Sequence, residues 1–245
     1  STAAPLRTLA PEPLPLPQSL GSLAQARAIQ ADRSSGAFIP QEIFSEIDAT
    51  LVGNRQVLAG EVALPLYEAK MVHHYDHRFG TYEGQTAAQA KQGKLPEFTP
   101  ADHVDPNRMV QPYFWVRESI VEKRLAGVSD RRWLLGWRDI CRSTDSRTII
   151  SAVIPRVAVG DKYLLLFPGV GPTHALVALL SSFVFDYLCR QKHGGTSLKY
   201  YLVKQLPVLP PSRFSDPTPW SPGERLADWI RPRVLELIYT AWDLE

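Results

Sequence analysis

The chain has 245 residues, 44% of them hydrophobic, which is enough apolar material for one large domain or two small ones and too much for a disordered tail. Its 27 Lys and Arg against 25 Asp and Glu leave a net charge of +2, so a nucleic-acid face has to come from a local concentration of charge. The two cysteines, Cys141 and Cys189, lie far apart without CxxC spacing, which argues against a disulfide framework or a structural zinc site and fits a reducing, cytoplasmic setting.

Residues 1–18 are rich in Pro and Leu, lack the basic start and apolar core of a signal peptide, and read as an extended linker. A short helix is expected over 19–31, broken by Ser34-Ser35-Gly36. Segments 56–58 and 62–67 read as a strand pair turning near Ala59-Gly60, and 70–78 continues with aromatic and β-branched content, so this part leans to β. From 84 to 110 the chain is polar and carries Pro96, Pro100 and Pro106, which predicts a long loop, mobile without a ligand. Residues 113–116 read as a strand entering a helix over 118–125, whose Ile120, Val121 and Leu125 form an apolar stripe.

Strands are expected over 133–140, 147–154 and 163–167. Residues 172–191 carry the strongest helical signal, with Pro172 at the start and Gly194-Gly195 past the end. The apolar run 175–184 within it is interrupted by Ser181 and Ser182 and falls short of the about 20 apolar residues a bilayer span needs. A shorter helix over 196–205 and a helical pattern over 222–242 complete the chain. Together these elements predict a mixed α/β (α+β) fold, a twisted and mainly antiparallel sheet flanked by helices.

Arg138-Asp139-Ile140-Cys141-Arg142-Ser143-Thr144-Asp145-Ser146-Arg147 sets three arginines among hydroxyls and carboxylates between two apolar strands. A hairpin entering a DNA groove has this composition, because Arg grips a guanine edge with two hydrogen bonds while Ser and Thr seat phosphates. A solvated turn held by Arg–Asp pairs has it too. Lys192-His193-Gly194-Gly195-Thr196 joins two helices, where glycines either let the backbone approach a phosphate, with Lys199 nearby, or cap the preceding helix.

His73-His74-Tyr75-Asp76-His77-Arg78 is the densest polar cluster. On a strand, His73, Tyr75 and His77 share one face and His74, Asp76 and Arg78 the other, which leaves a metal site, a buried hydrogen-bonded network and a DNA contact open. Glu68-Ala69-Lys70, with Asp48 upstream, has the order of a restriction nuclease, in which an acid pair holds magnesium and a lysine activates water. A salt bridge at a strand edge is the plainer alternative. Trp133 and Trp137 fit core packing better than base stacking.

Four stretches resemble the C-terminal portion of Eco57I-type adenine-N6 DNA methyltransferases and related phage-defence methylases: LPLYEAKMVHHYDHRFGTYEG (64–84), QPYFWVRE (111–118), WLLGWRDICRSTDSRTIISAVIPR (133–156) and SSFVFDYLCRQKHGGTSLKYYLVKQLPVLPP (181–211). The last is also similar to the end of target-recognition domains in type I specificity subunits. The ending VLELIYTAWDLE (234–245) resembles a stretch that continues onward in such proteins, which implies an excised piece. An adenine methyltransferase needs a Gly-rich loop for S-adenosylmethionine and an Asn-Pro-Pro-Tyr-type loop that grips the flipped base, and this sequence contains neither.

The resemblance therefore implies double-stranded DNA recognition without catalysis in this chain. No cofactor is expected here, and S-adenosylmethionine belongs to a separate N-terminal methyltransferase domain of the parent protein. The implied organisation is a linker (1–18), an N-terminal extension of helix and β (19–60), a target-recognition domain (61–211) and a truncated C-terminal helical segment (212–245). Lys70, Arg78, Lys192 and the Gly194-Gly195 turn are expected at phosphates, Arg138, Arg142, Thr144 and Arg147 at base edges, and His73, His74, His77 and Thr196 along the same surface. A magnesium-dependent nuclease using Asp48, Glu68 and Lys70 and a protein-interaction scaffold are the alternatives.

Overall fold

A computed structural model describes residues 38–41, 50–52, 54–58, 61–169 and 171–244. The linker expected over 1–18, the helix over 19–31 and Asp48 lie outside them. The strands are β1 (Phe38–Pro40), β2 (Thr50–Val52), β3 (Arg55–Leu58), β4 (Glu61–Tyr67), β5 (Phe114–Arg117), β6 (Trp133–Arg138), β7 (Ser151–Pro155), β8 (Ala158–Val159), β9 (Tyr163–Leu166), β10 (Pro217–Thr218) and β11 (Ser221–Arg225). The helices are α1 (Ala87–Lys91), α2 (Pro100–Val104), α3 (Glu118–Leu125), α4 (Thr173–Ser181), α5 (Phe183–Lys192), α6 (Tyr200–Val203) and α7 (Leu226–Ile238).

The chain is thus of mixed α+β class. One sheet runs β1-β5-β4-β3-β2 with antiparallel pairing throughout, and β8 joins β4 in parallel. A second sheet, β7-β6-β9, is wholly antiparallel, and β10 and β11 pair as a small hairpin.

Strand β6 stands between two cores, because successive side chains of a strand point to opposite faces. Leu134 packs with Ala152, Ile154 and Tyr163 into the core shared with Leu64 and Phe114 of the first sheet and Val121 of α3. Leu135 and Trp137 face the other way, into a core completed by Val177 of α4, Phe185 and Cys189 of α5 and Val234 of α7. Trp137 is buried and its indole N–H donates to the Leu198 carbonyl at 2.8 Å, so it is core, as its spacing suggests. Gly136 is needed where β6 meets β9, since a Cβ there would lie 2.6 Å from both the Leu164 carbonyl oxygen and the Tyr163 ring. Gly136→Ala should lower stability by about 1–3 kcal/mol through overpacking. An unchanged thermal midpoint would show that Tyr163 yields freely.

Several elements differ from expectation for identifiable reasons. The helix expected over 172–191 is two helices, because Ser182 is extended (ψ 150°) and its hydroxyl caps α5 by accepting from Phe185 N at 3.1 Å. Residues 70–78 are turns and not a strand: a 3-10 turn, Ala69–Met71, leads into a tight reversal in which His73 and Asp76 bridge and Tyr75 takes φ +58°. The alternation of faces expected for the histidine cluster therefore does not occur. The segment 84–110 contains the one-turn helices α1 and α2, closed by reciprocal caps between Thr86 and Gln89 and between Thr99 and Asp102. The helix expected over 196–205 shortens to α6. The 222–242 pattern is a strand followed by α7, which accommodates Pro232. No helix among the described residues is long and apolar enough to cross a membrane.

Candidate nucleic-acid interface

At the end of β6, Asp139 is fully buried and accepts from the Ser197 hydroxyl at 2.5 Å and the Lys199 ammonium at 2.6 Å. Burial pushes its carboxyl pKa up, but the Lys199 and Ser197 hydrogen bonds outweigh that and hold it below the usual carboxylate range. The neighbouring backbones are laced together: Leu198 N donates to Asp139 O at 2.7 Å and Cys141 N to Thr196 O at 3.2 Å. These bonds fix the turn 193–196 against the start of the loop 141–147.

The far end of that loop is tied down by Asp186 of α5. Its buried carboxylate accepts from Thr148 N at 2.7 Å and Ile149 N at 3.0 Å, and it lies 3.4 Å from both Arg147 Nε and an Arg190 terminal nitrogen. Arg190 also donates to the carbonyls of Asp145 and Ser146, at 2.9 and 3.1 Å. Inside the loop, Arg142 N donates to Asp145 Oδ2 at 2.9 Å, which closes a turn. Two segments distant in sequence thus lie side by side against α5. Arg142, Thr144, Lys192, Gly194, Gly195 and Thr196 are all exposed there.

Phe183, Val184 and Tyr187 stand out from α5, with Phe183 80% exposed. The Arg147 guanidinium lies 4.8 Å from the Phe183 ring centroid and anchors it from behind. Sequence reasoning missed Phe183 and Tyr187 because a continuous helix over 172–191 makes that run look uniformly buried.

Neither Gly194 nor Gly195 has a positive φ, and a Cβ at either would meet open space. Helix α5 ends instead on His193 in extended conformation (φ −91°, ψ 107°), so the C-cap explanation of the glycines does not hold. Nor does a helix start at Thr196, since α6 begins at Tyr200 and spans one turn.

No protein-family model, curated protein or solved structure matches this chain.

Several residues expected at DNA are occupied inside the protein. Arg78 is fully buried, and its guanidinium donates to the carbonyls of Asp105 and Arg108 at 2.8 Å, Thr240 at 2.7 Å and His103 at 3.2 Å. It holds the fold and is out of reach of a phosphate. His77 is fully buried as well, 2.8 Å from Asp243 Oδ1. His74 is half-buried; burial and the nearby Arg147 charge push its pKa down to about 4, so it offers no cation at neutral pH. His73 is half-buried, its ring 4.8 Å from that of Phe79, and burial and Arg138 lower its pKa.

Arg138 turns inward, donating from Nε to Val72 O at 2.6 Å, and burial lowers its pKa to about 10. Arg147 donates to Ser181 O at 2.7 Å, which removes it from base reading and makes it a brace between α4 and α5. Of the four residues expected at base edges, Arg142 and Thr144 are exposed. Lys70 lies 3.4 Å from Glu68, itself bonded to the Tyr82 hydroxyl, so that pair forms the salt bridge of the plainer alternative. Among the described residues no group of three His, Cys, Asp or Glu side chains is placed to hold a metal ion.

Proposed function

We propose that this chain recognises double-stranded DNA sequence-specifically, as the specificity region of an adenine-N6 DNA methyltransferase of a restriction-modification or phage-defence system. Methyl transfer and S-adenosylmethionine would belong to a separate domain. The single observation supporting this reading is the meeting of the loop 141–147 and the turn 193–196, whose backbones are hydrogen-bonded to each other and which expose Arg142, Thr144, Gly194, Gly195 and Thr196, with the exposed Lys192 just before the turn. Arg142 is assigned to a base edge, Thr144 to a base edge or phosphate, and Lys192 with the Gly194-Gly195 backbone to phosphates.

Duplex binding followed by fluorescence anisotropy at two salt concentrations tests this. Affinity should fall steeply with salt, and Lys192→Ala should weaken all duplexes alike and reduce the slope of log affinity against log salt by about one. The exposure of Phe183, Val184 and Tyr187 in one patch favours a second reading, a surface that docks another protein. Salt-insensitive or absent duplex binding would leave that second reading standing alone.

A further inference from the structure

A cleft of about 530 Å³ opens between the second sheet, α4 and α7. Its size lies within the range of cavities that take small organic ligands. Val153, Val177, Leu235, Ile238, Leu244 and the Trp133 ring form most of its wall. The polar part of the lining is basic: Arg131, His174 and Arg231 contribute, and no Asp or Glu is among the described lining residues.

These side chains are held differently. Arg131 is fixed in place, its guanidinium 4.8 Å from the Trp133 ring, with terminal nitrogens donating to Thr173 Oγ1 at 3.3 Å and Pro168 O at 3.1 Å. His174 Nε2 lies 2.9 Å from Ala227 O. Arg231 is exposed at the mouth, and no carboxylate among the described residues pairs with it. An apolar trough whose unneutralised charges all have one sign is complementary to a molecule with an apolar body and an anionic head.

We infer that this cleft binds a small amphipathic carboxylate, its alkyl or aryl body lying on Trp133, Leu235 and Ile238 and its carboxylate meeting Arg231. The cleft shares no residue with the loop 141–147 or the turn 193–196, so its occupancy and DNA binding are separately testable.

Titration calorimetry with decanoate, below its micelle concentration, and with decanol is the test. The expected result is one decanoate per chain. Arg231→Gln should weaken decanoate about fivefold and leave decanol unchanged, as the loss of a partly exposed ion pair does. Leu235→Glu, which brings a like charge to the mouth, should abolish decanoate binding. Because Arg231 and Leu235 are both exposed, neither change threatens the fold. Absence of decanoate binding, or an equal loss for decanoate and decanol in Arg231→Gln, overturns the assignment.

Discussion

Replacing Arg78 with alanine is expected to destabilise the protein by about 3–5 kcal/mol, the range for removing one side of a buried charged network. The guanidinium gathers carbonyls from three residues of the segment 103–108 and from Thr240 near the C-terminal end, parts of the chain that otherwise meet mainly through Trp242 N and Pro106 O at 3.2 Å. Without it, four carbonyls lose a charged donor, and the segment 239–244 keeps the buried His77–Asp243 contact but loses its guanidinium tie to the segment 103–108. Lysine would not restore the fold, because a single ammonium cannot span the positions that a planar fork reaches. Urea denaturation of Arg78→Ala and Arg78→Lys measures the effect. A loss below about 1 kcal/mol in both would show that these carbonyls find other partners.

Asp186→Ala is expected to remove about 3 kcal/mol, since it strips the acceptor from two buried amides and leaves Arg147 without its carboxylate. Asp186→Asn should be milder, keeping a carbonyl oxygen for Thr148 N and Ile149 N while giving up the charge that holds Arg147 and Arg190. Hydrogen exchange adds a local readout. Protection at Thr148 and Ile149 should collapse in Asp186→Ala before the rest of the molecule opens, since these amides depend on one side chain and not on a strand ladder. Uniform loss of protection across β6 and β7 would instead mean that Asp186 supports the whole second sheet.

Local patterns were legible where one periodicity acts alone. The strand pair β3 and β4, the step from β5 into α3 and the apolar run of β9 lie close to where the sequence places them. What depended on distant partners was not. Ser182 looks like an interruption in a helix until its hydroxyl is seen to cap the next one, although a serine three residues before Phe185 carries that signal. The histidine cluster reads as a strand because nothing local announces a positive φ at Tyr75, a residue type that seldom adopts it. Arg78, Arg138 and Arg147 have the composition of DNA ligands, and their carbonyl partners lie 25 to 162, 66 and 34 to 35 residues away along the chain. The exposure of Arg142 and Lys192 was legible, because a polar loop between apolar strands and a lysine before paired glycines both belong at a surface.

Under the proposed function, the surface formed by the loop 141–147 and the turn 193–196 would read DNA sequence. Selection from a pool of random duplexes by the immobilised chain tests it most directly. The expected result is enrichment of a defined motif, relaxation at a single position of that motif with Arg142→Ala, corresponding to about 1–3 kcal/mol of discrimination, and the same motif at lower yield with Lys192→Ala. Recovery of unselected duplexes by the wild-type chain, or a motif indifferent to Arg142, would contradict it.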